Sequence, residues 1–549
     1  MDYMKLAELL FGDIKTTPED IYALFPERNL PEGAMVTRIA PSPTGFVHFG
    51  NLFPAITCER MAHQSGGIFY LRIEDTDAKR EVEGAVEVIL KAFKTFRLNF
   101  DEGATIDGDN GAYGPYRQRQ RENIYKTFAK MLVEKGMAYP CFCTEEDLEA
   151  THKAQEEEKS NFGYFGKWAK CRDLSFDEIK ANIDAGKSFV LRFKSMGNCN
   201  NKIKFKDLVK GDIDVSENDI DHVLLKSDGI PTYHFAHVVD DHLMGTTHVV
   251  RGDEWLSTLP FHLQLFRALE WKAPKYLHIA PLMKMDGDSK RKLSKRKDPE
   301  AALTFYAKEG YAADAVYEYI LTLLNSSFEQ WRMTNPDKNA REYPFQYKKM
   351  SVSGSLFDIV KLNDVSKNYV SRLTADEVYD YVAQWAKEYD EEFYKLFTRD
   401  EAYSKAILAI GRGGKKPRKD FGIWSEVKGY MDFFFDELFT PDYTYDEKLD
   451  KEDILAILSE YMSVYDENDD NSAWFEKIRA LSEKHGFCGD MKAYKENPDA
   501  YKGNVGDVSM ILRIAVCGRT NSPDMYCIFN ILGKDKLEER INKAIAALN

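Results

Sequence analysis

Two separated segments of the sequence carry residues suited to phosphate chemistry. The first is Arg38-Ile39-Ala40-Pro41-Ser42-Pro43-Thr44-Gly45-Phe46-Val47-His48-Phe49-Gly50-Asn51, a short apolar run that stops at prolines and leads into a helical pattern. A helix N-terminus at the carboxyl end of a strand offers free backbone N–H groups and a positive dipole end, which favour a phosphate. His48, just before the helix, can donate to that phosphate, and Gly50 leaves room for a nucleotide to approach. Taken alone, the pair reads as readily as a turn histidine beside a steric glycine. The second segment, residues 284–297 (KMDGDSKRKLSKRK), holds seven basic residues against two acidic ones, a local charge of +5. A solvated charge run is the ordinary fate of such a stretch. On a mobile loop beside a bound phosphate, the same lysines would neutralise charge as it develops. Gly287 and Ser289 would give such a loop freedom to close.

The elements that must position these groups follow from pattern. Val36–Ala40 reads as a strand, Leu52–Gln64 as a helix and Ile68–Ile73 as a second, buried strand, so the chain begins a parallel, doubly wound sheet. Residues 1–33 read as helical, with Leu6, Leu9, Leu10 and Ile14 at helical spacing, then a proline-rich exit. From about Gly114 to Ile230 a stretch of mixed character interrupts the sheet. An αβ stretch follows, ending at Ala280-Pro281-Leu282, and beyond about residue 345 the pattern is helical almost throughout.

The fourteen-residue string resembles the first signature of class I aminoacyl-tRNA synthetases, in the Pro-Ser-Pro-Thr-Gly form typical of glutamyl-tRNA synthetases. Lys292-Leu293-Ser294-Lys295-Arg296 resembles the second signature of the same class. The resemblance runs from about Val36 to Lys297, continues through Phe357–Leu362, and resumes in the last helices at Leu512–Val516 and Ile531–Lys534. It implies an α/β catalytic half with an interrupted Rossmann-type parallel sheet, followed by an all-α anticodon-binding half of the bacterial type. The implied division is an extension over 1–35, sheet halves over 36–114 and 231–284, an inserted acceptor-binding domain over 115–230, a stem-contact region over 285–372 and an anticodon-binding region over 373–549.

Site residues come over position by position. The catalytic set is His48, Gly50, Lys292 and Lys295. Thr44, Asn51, Glu254, Trp255, Ser294 and Arg296 complete the ATP side, although Trp255 reads equally as core. Arg38, Ala40, Ser42, Glu74, Tyr233 and Arg251 match the glutamate pocket, with the arginines on the substrate carboxylates and Glu74 on the α-amino group. Either arginine could instead be a structural ion pair. A glutamine would leave a buried guanidinium without its counter-charge, which argues for glutamate. His237 stands where the family often has asparagine. Arg513 matches a position implicated in anticodon contact, and residues 412–419 (RGGKKPRK) carry five positive charges suited to tRNA phosphates.

Cys141-x-Cys143 and Cys171 have zinc-type spacing, but the downstream histidine of zinc-binding relatives is Asp173 here. Tyr164 and His152 are alternative fourth donors, and no metal ligand set is assigned. Mg²⁺ is expected with ATP.

Composition bounds the rest. At about 150 residues per domain, 549 residues make roughly three to five domains. With 44% apolar, 30% charged and only eight cysteines, the chain is neither disordered nor a disulfide scaffold. A net charge of −15 excludes a uniformly basic nucleic-acid coat while allowing local basic paths. Neither a secretory leader nor an apolar run near the ~20 residues of a bilayer span is visible, so a cytoplasmic protein is expected; the resemblance implies a monomer acting on tRNA(Glu), ATP and L-glutamate. The alternatives are an enzyme that also charges tRNA(Gln), a paralogue that glutamylates a tRNA base, a non-catalytic tRNA-binding protein and a small-molecule nucleotidyltransferase.

Overall fold

The computed structural model describes every residue except Gly45, Phe46, Ala78 and Lys295. The chain divides into two compact units, Met1–Phe305 with Val316–Asp358, and Tyr306–Ala315 with Ile359–Asn549.

The first unit opens with α1 (Tyr3–Phe11), capped by Asp2, and α2 (Pro18–Leu24), which starts on a Thr17/Asp20 capping box with proline at its first position. Then come β1 (Val36–Ile39), α3 (Phe49–Gln64), β2 (Ile68–Leu71), α4 (Ala85–Thr95), β3 (Glu102–Ala104) and β4 (Asp109–Asn110). β1, β2 and β3 pair in parallel and β4 closes the edge antiparallel. All four residues of β1 are buried, as a strand covered on both faces requires.

The sheet is then interrupted by α5 (Glu122–Glu134), β5 (Ala138–Cys141), α6 (Glu145–Glu157), α7 (Phe176–Asp184), β6 (Val190–Phe193), β7 (Lys202–Asp207), β8 (Gly211–Ser216) and β9 (Val223–Leu225). β5, β6 and β9 form an antiparallel sheet, and β7–β8 is a separate hairpin. The parallel pattern resumes with α8 (Tyr233–Leu243), β10 (His248–Gly252), α9 (Leu259–Ala268) and β11 (Lys275–Ile279). Thr247 N donates to Val36 O at 3.0 Å, which lays the β10 strand along β1. β10 and β11 pair in parallel with Arg251 directly opposite Lys275's third neighbour, His278.

The first part of the basic segment is a hairpin, β12 (Met283–Asp286) and β13 (Ser289–Lys292), and the chain leaves strand after Lys292. Gly287 sits at its tip with φ +61°, the first central position of a two-residue turn that favours glycine. Lys284 pairs with Asp298 and Glu300, while Arg291 binds Asp286 and grips Asp298 with two contacts at 2.6 and 2.7 Å.

The second unit is built of helices around one core that includes Val382, Ile407, Ile457, Val508, Leu512 and Ile541. Capping boxes at Thr374/Glu377 and Asn504/Asp507 set two of its helix starts. Among the described residues, no helix is long and apolar enough to cross a membrane.

The N-terminal segment is stitched into the first unit by Arg28. Its two Nη atoms bind both oxygens of Glu102 at 2.8 Å, its Nε donates to Met244 O at 2.8 Å, and its guanidinium lies 3.7 Å from the Tyr113 ring centre. Removing one member of a buried pair strands the other, so Arg28→Ala should lower the unfolding free energy of this unit by about 3 kcal/mol. In a Glu102→Gln background the same change should cost clearly less, as urea unfolding of the two series will show.

Candidate active site

A cavity of about 380 Å³ opens at the carboxyl ends of the parallel strands, where open α/β sheets bind ligands. Strand β1 contributes Arg38 and, just beyond it, Ala40. The start of α3 contributes His48, Gly50 and Asn51. Glu74 follows β2, Tyr233 opens α8, and β10 leads through Arg251 to Glu254 and Trp255. Lys292 reaches the same cavity from the end of β13. Ser42, Thr44, Ser294 and Arg296 do not line it, and Lys295 lies outside the described residues. Ser42 donates to Glu74 O at 2.8 Å, and Ser294 N donates to Asp298 at 2.8 Å, so both hold loop backbone. Trp255 tilts against Tyr233 with ring centres 4.5 Å apart, a cavity wall rather than core.

The helix start is built tightly. His48 N donates to Asn51 Oδ1 at 3.0 Å, and Asn51 N donates back to His48 O. A Cβ on Gly50 would lie 2.9 Å from the His48 ring. The glycine therefore makes room first for this histidine, and only through it for a nucleotide.

Arg38 is buried and paired with a carboxylate. Its Nε contacts both oxygens of Asp241 at 3.1 and 3.2 Å, and its Nη2 lies 3.3 Å from His237 Nδ1. Burial alone would lower the Arg38 pKa, and Asp241 reverses this so that it ends raised. Asp241 also accepts from Arg72 at 2.7 Å, and Arg72 in turn holds Glu74 Oε1 at 3.1 Å. The Glu74 carboxyl is pushed up by burial, with Arg72 and Arg38 opposing.

Arg251 is held differently. Its Nε donates to His278 Nε2 at 2.9 Å, its Nη1 to His262 Nδ1 at 3.0 Å, and its guanidinium stands 4.7 Å over the Tyr276 ring. Its Nη2 is buried without a hydrogen-bond partner, and no carboxylate among the described residues pairs with it. Sequence reasoning missed Arg72, Asp241, His262 and His278. Asp241 lies within the Val238–His242 string that shares the family resemblance, and Arg72 two residues before Glu74, but neither is assigned a role by pattern; the Arg251–His278 register appears only in the folded sheet.

Cys141, Cys143 and Cys171 bring their sulfurs within 4.8 Å of one another. Tyr164 OH completes the group, 3.3 Å from Cys141 and from Cys143. His152 stacks on Phe162 instead, and Asp173 is exposed beside Lys194. The hydrogen bond from Cys171 lowers the Cys141 thiol to about 4, so one thiolate is favoured in the group.

A phosphate-ready helix start, a basic hairpin and paired arginines on an interrupted parallel sheet, with a separate helical unit, define a class I aminoacyl-tRNA synthetase. The family model for the catalytic domain of class I tRNA synthetases (E and Q) matches residues 34–364, and that for an anticodon binding domain matches 418–545. A glutamate–tRNA ligase of Acetivibrio thermocellus is 52% identical over 99% of this chain and 100% of its own length. One from Clostridium perfringens is 49% identical, covering 100% of both chains. The crystal structure of a glutamate tRNA ligase from Elizabethkingia meningosepticum, in complex with its amino acid, superposes with a TM-score of 0.75. It is 26% identical, over 94% of this chain and 100% of that one. The chain belongs to the class I tRNA synthetases of the E and Q type, among the glutamate–tRNA ligases.

The site sits in a bed of neutral histidines, which makes the first unit acid-sensitive. Burial pushes His222, His234, His237, His242 and His248 down to about 4, and lowers His262 and His278 as well. Unfolded, these rings take up protons near pH 6.5. Their contribution is therefore complete above pH 6.5 and is lost as pH falls towards 4. The urea midpoint of the first unit should be flat above pH 7 and drop steeply from pH 6.5 to 4.5, and a level profile there would show the rings already charged.

Proposed function

We propose that this cavity activates L-glutamate on ATP with the side chains in the roles that follow, as the first half of the ligase reaction. The observation that carries the reading is Arg251, a cavity-lining cation whose buried Nη2 has no hydrogen-bond partner and whose side-chain partners are neutral imidazoles. A guanidinium in that state needs an anion, and the side-chain carboxylate of glutamate supplies it where glutamine cannot. Glu74 takes the α-amino group, and Arg38, pinned by Asp241, lends positive potential to the α-carboxylate.

The α-carboxylate attacks the α-phosphate of ATP, used with Mg²⁺, to give glutamyl-adenylate and pyrophosphate. The start of α3 with His48 receives phosphate charge, and Lys292, with Lys295 beyond it, neutralises the departing pyrophosphate. The terminal adenosine hydroxyl of tRNA then attacks the activated carbonyl and releases AMP. No protein nucleophile is required.

Glutamate-dependent ATP–pyrophosphate exchange, with tRNA(Glu) or tRNA(Gln) present, tests the assignment. Arg251→Ala should raise the glutamate KM by about 100-fold or more, the loss expected for a buried charge-assisted pair. The ATP KM should stay within about threefold. Exchange supported by both tRNAs would mark the relaxed form of the enzyme.

For the tRNA, the basic loop of the second unit offers fewer cations than its composition suggests. Arg412 is spent on Leu408 O and Val370 O, and Arg418 binds Asp420. Lys415, Lys416 and Lys419 are the residues proposed to meet phosphates. Arg513, in the helix Val505–Cys517, donates to Thr520 O at 3.4 Å and keeps only its reach towards a base. Changing Lys415 and Lys416 to Gln should weaken tRNA binding and reduce the log–log salt slope by about 2.

The three thiols and Tyr164 fit Zn²⁺, which prefers thiolates and four donors. Bound there, zinc would fix the segment that carries the cysteines, with no part in the chemical steps. Elemental analysis should find one zinc per chain, lost in Cys171→Ser.

A further inference from the structure

We propose that Asp207, at the end of β7, and His278, on β11, are positioning residues for amino-acid recognition. Asp207 fixes the tautomer of His278, and His278 orients Arg251 without neutralising it. The inference rests on the reading that Arg251 receives a substrate carboxylate.

A guanidinium has five N–H donors and no acceptor, so each partner must accept. Arg251 Nε donates to His278 Nε2 at 2.9 Å, which requires that nitrogen to carry the lone pair and His278 Nδ1 to carry the proton. Nδ1 lies 2.7 Å from Asp207 Oδ2, the acceptor that this tautomer needs. His278 and Asp207 are both essentially without solvent contact, so no water stands in for either. Burial lowers the His278 pKa, in keeping with a neutral ring.

Asp207 is itself immobilised. Its Oδ1 accepts from Val209 N at 2.9 Å and Lys210 N at 2.8 Å in the β7–β8 turn, while Oδ2 also accepts from His278 N at 3.1 Å. The turn of that hairpin thus sets the carboxylate, the carboxylate sets the imidazole, and the imidazole sets the arginine. A carboxylate placed directly on Arg251 would orient it equally well but cancel the charge that the substrate must meet. A neutral acceptor backed by a distant aspartate orients and leaves the charge available.

The test is a set of glutamate and ATP KM values from pyrophosphate exchange by the full-length chain with tRNA(Glu). In Asp207→Asn the amide keeps its oxygen on the turn and presents N–H to His278 Nδ1. That inverts the tautomer and sets Nε2–H against Arg251 Nε–H. The glutamate KM should rise about 10- to 100-fold with the ATP KM unchanged, the range typical of supporting hydrogen bonds. His278→Phe, which keeps the volume and removes the acceptor, should do the same. His278→Gln, which restores an acceptor, should recover most of the affinity. In the Gln background Asp207→Asn should add less than about threefold, because no tautomer remains to be fixed.

Additive effects, or equal losses for glutamate and ATP, would overturn the relay. If Asp207→Asn does not fold, the contrast between Phe and Gln at 278 decides the matter alone. Should Arg251→Ala leave the glutamate KM unchanged, the underlying assignment fails. Should it raise that KM while the Asp207 and His278 variants do not, only the relay fails.

Discussion

The catalytic unit is organised around a buried cluster of three arginines and three carboxylates. Arg38 on β1 meets Asp241 on α8. Arg72, just after β2, meets Asp241 and Glu74 and comes within 3.8 Å of Asp240. Arg121, ahead of α5, meets Asp240 at 2.7 Å. Gln118 and Tyr125 add hydrogen bonds to Asp240 at 2.8 Å each. The charges balance, which is the condition for burying six ions together. Such a cluster adds little net stability over apolar packing, but removing any member strands a charge. Its consequence is registry: two strands of the interrupted sheet, a helix from the far side of the interruption and the segment leading into it are tied at fixed positions.

That compensated cluster makes the other arginine meaningful. Arg38 and Arg251 face the same cavity from neighbouring strands, yet one is answered by a carboxylate and the other by two imidazoles. Arg38 is therefore part of the floor, with its charge largely spoken for, whereas Arg251 retains a full charge in a place where water is scarce. The attraction it exerts on an anion is correspondingly stronger than at the surface. On the proposed role of Arg251, specificity for a carboxylate over an amide follows from the state of the protein alone.

Much of this was legible in the sequence as place, and little of it as partnership. The signature strings located the helix start and the basic segment, and strand-end positions put Arg38, Glu74 and Arg251 on the cavity. Their partners lay far away in the chain: Asp241 is 203 residues from Arg38, and Asp207 is 71 from His278. Only the closed sheet brings them together, and local pattern carries no signal of that. Composition misled where charge was counted without geometry. The first part of the 284–297 segment reads as loop, while the Gly287 turn and the carboxylates of Asp298 and Glu300 hold residues 283–292 as a hairpin. The 412–419 run read as five phosphate ligands, although Arg412 and Arg418 are consumed within their own fold.

The same distinction explains why the unit tolerates so many buried histidines. A buried carboxylate or ammonium must find an opposite charge, whereas a neutral imidazole offers one donor and one acceptor and can close a hydrogen-bond chain without altering the charge balance. His237 links Asp241 to the Tyr276 hydroxyl, and His262 links Arg251 to His234. His237 thereby joins the compensated cluster to the ring beneath Arg251, and His262 extends the chain from Arg251 to a further imidazole, with no carboxylate brought to Arg251. A carboxylate at any of these points would quench Arg251, and an amide would lack the reach to span both partners. On the proposed reading, the histidines are what allow a buried cation to stay without a counter-charge until its ligand arrives.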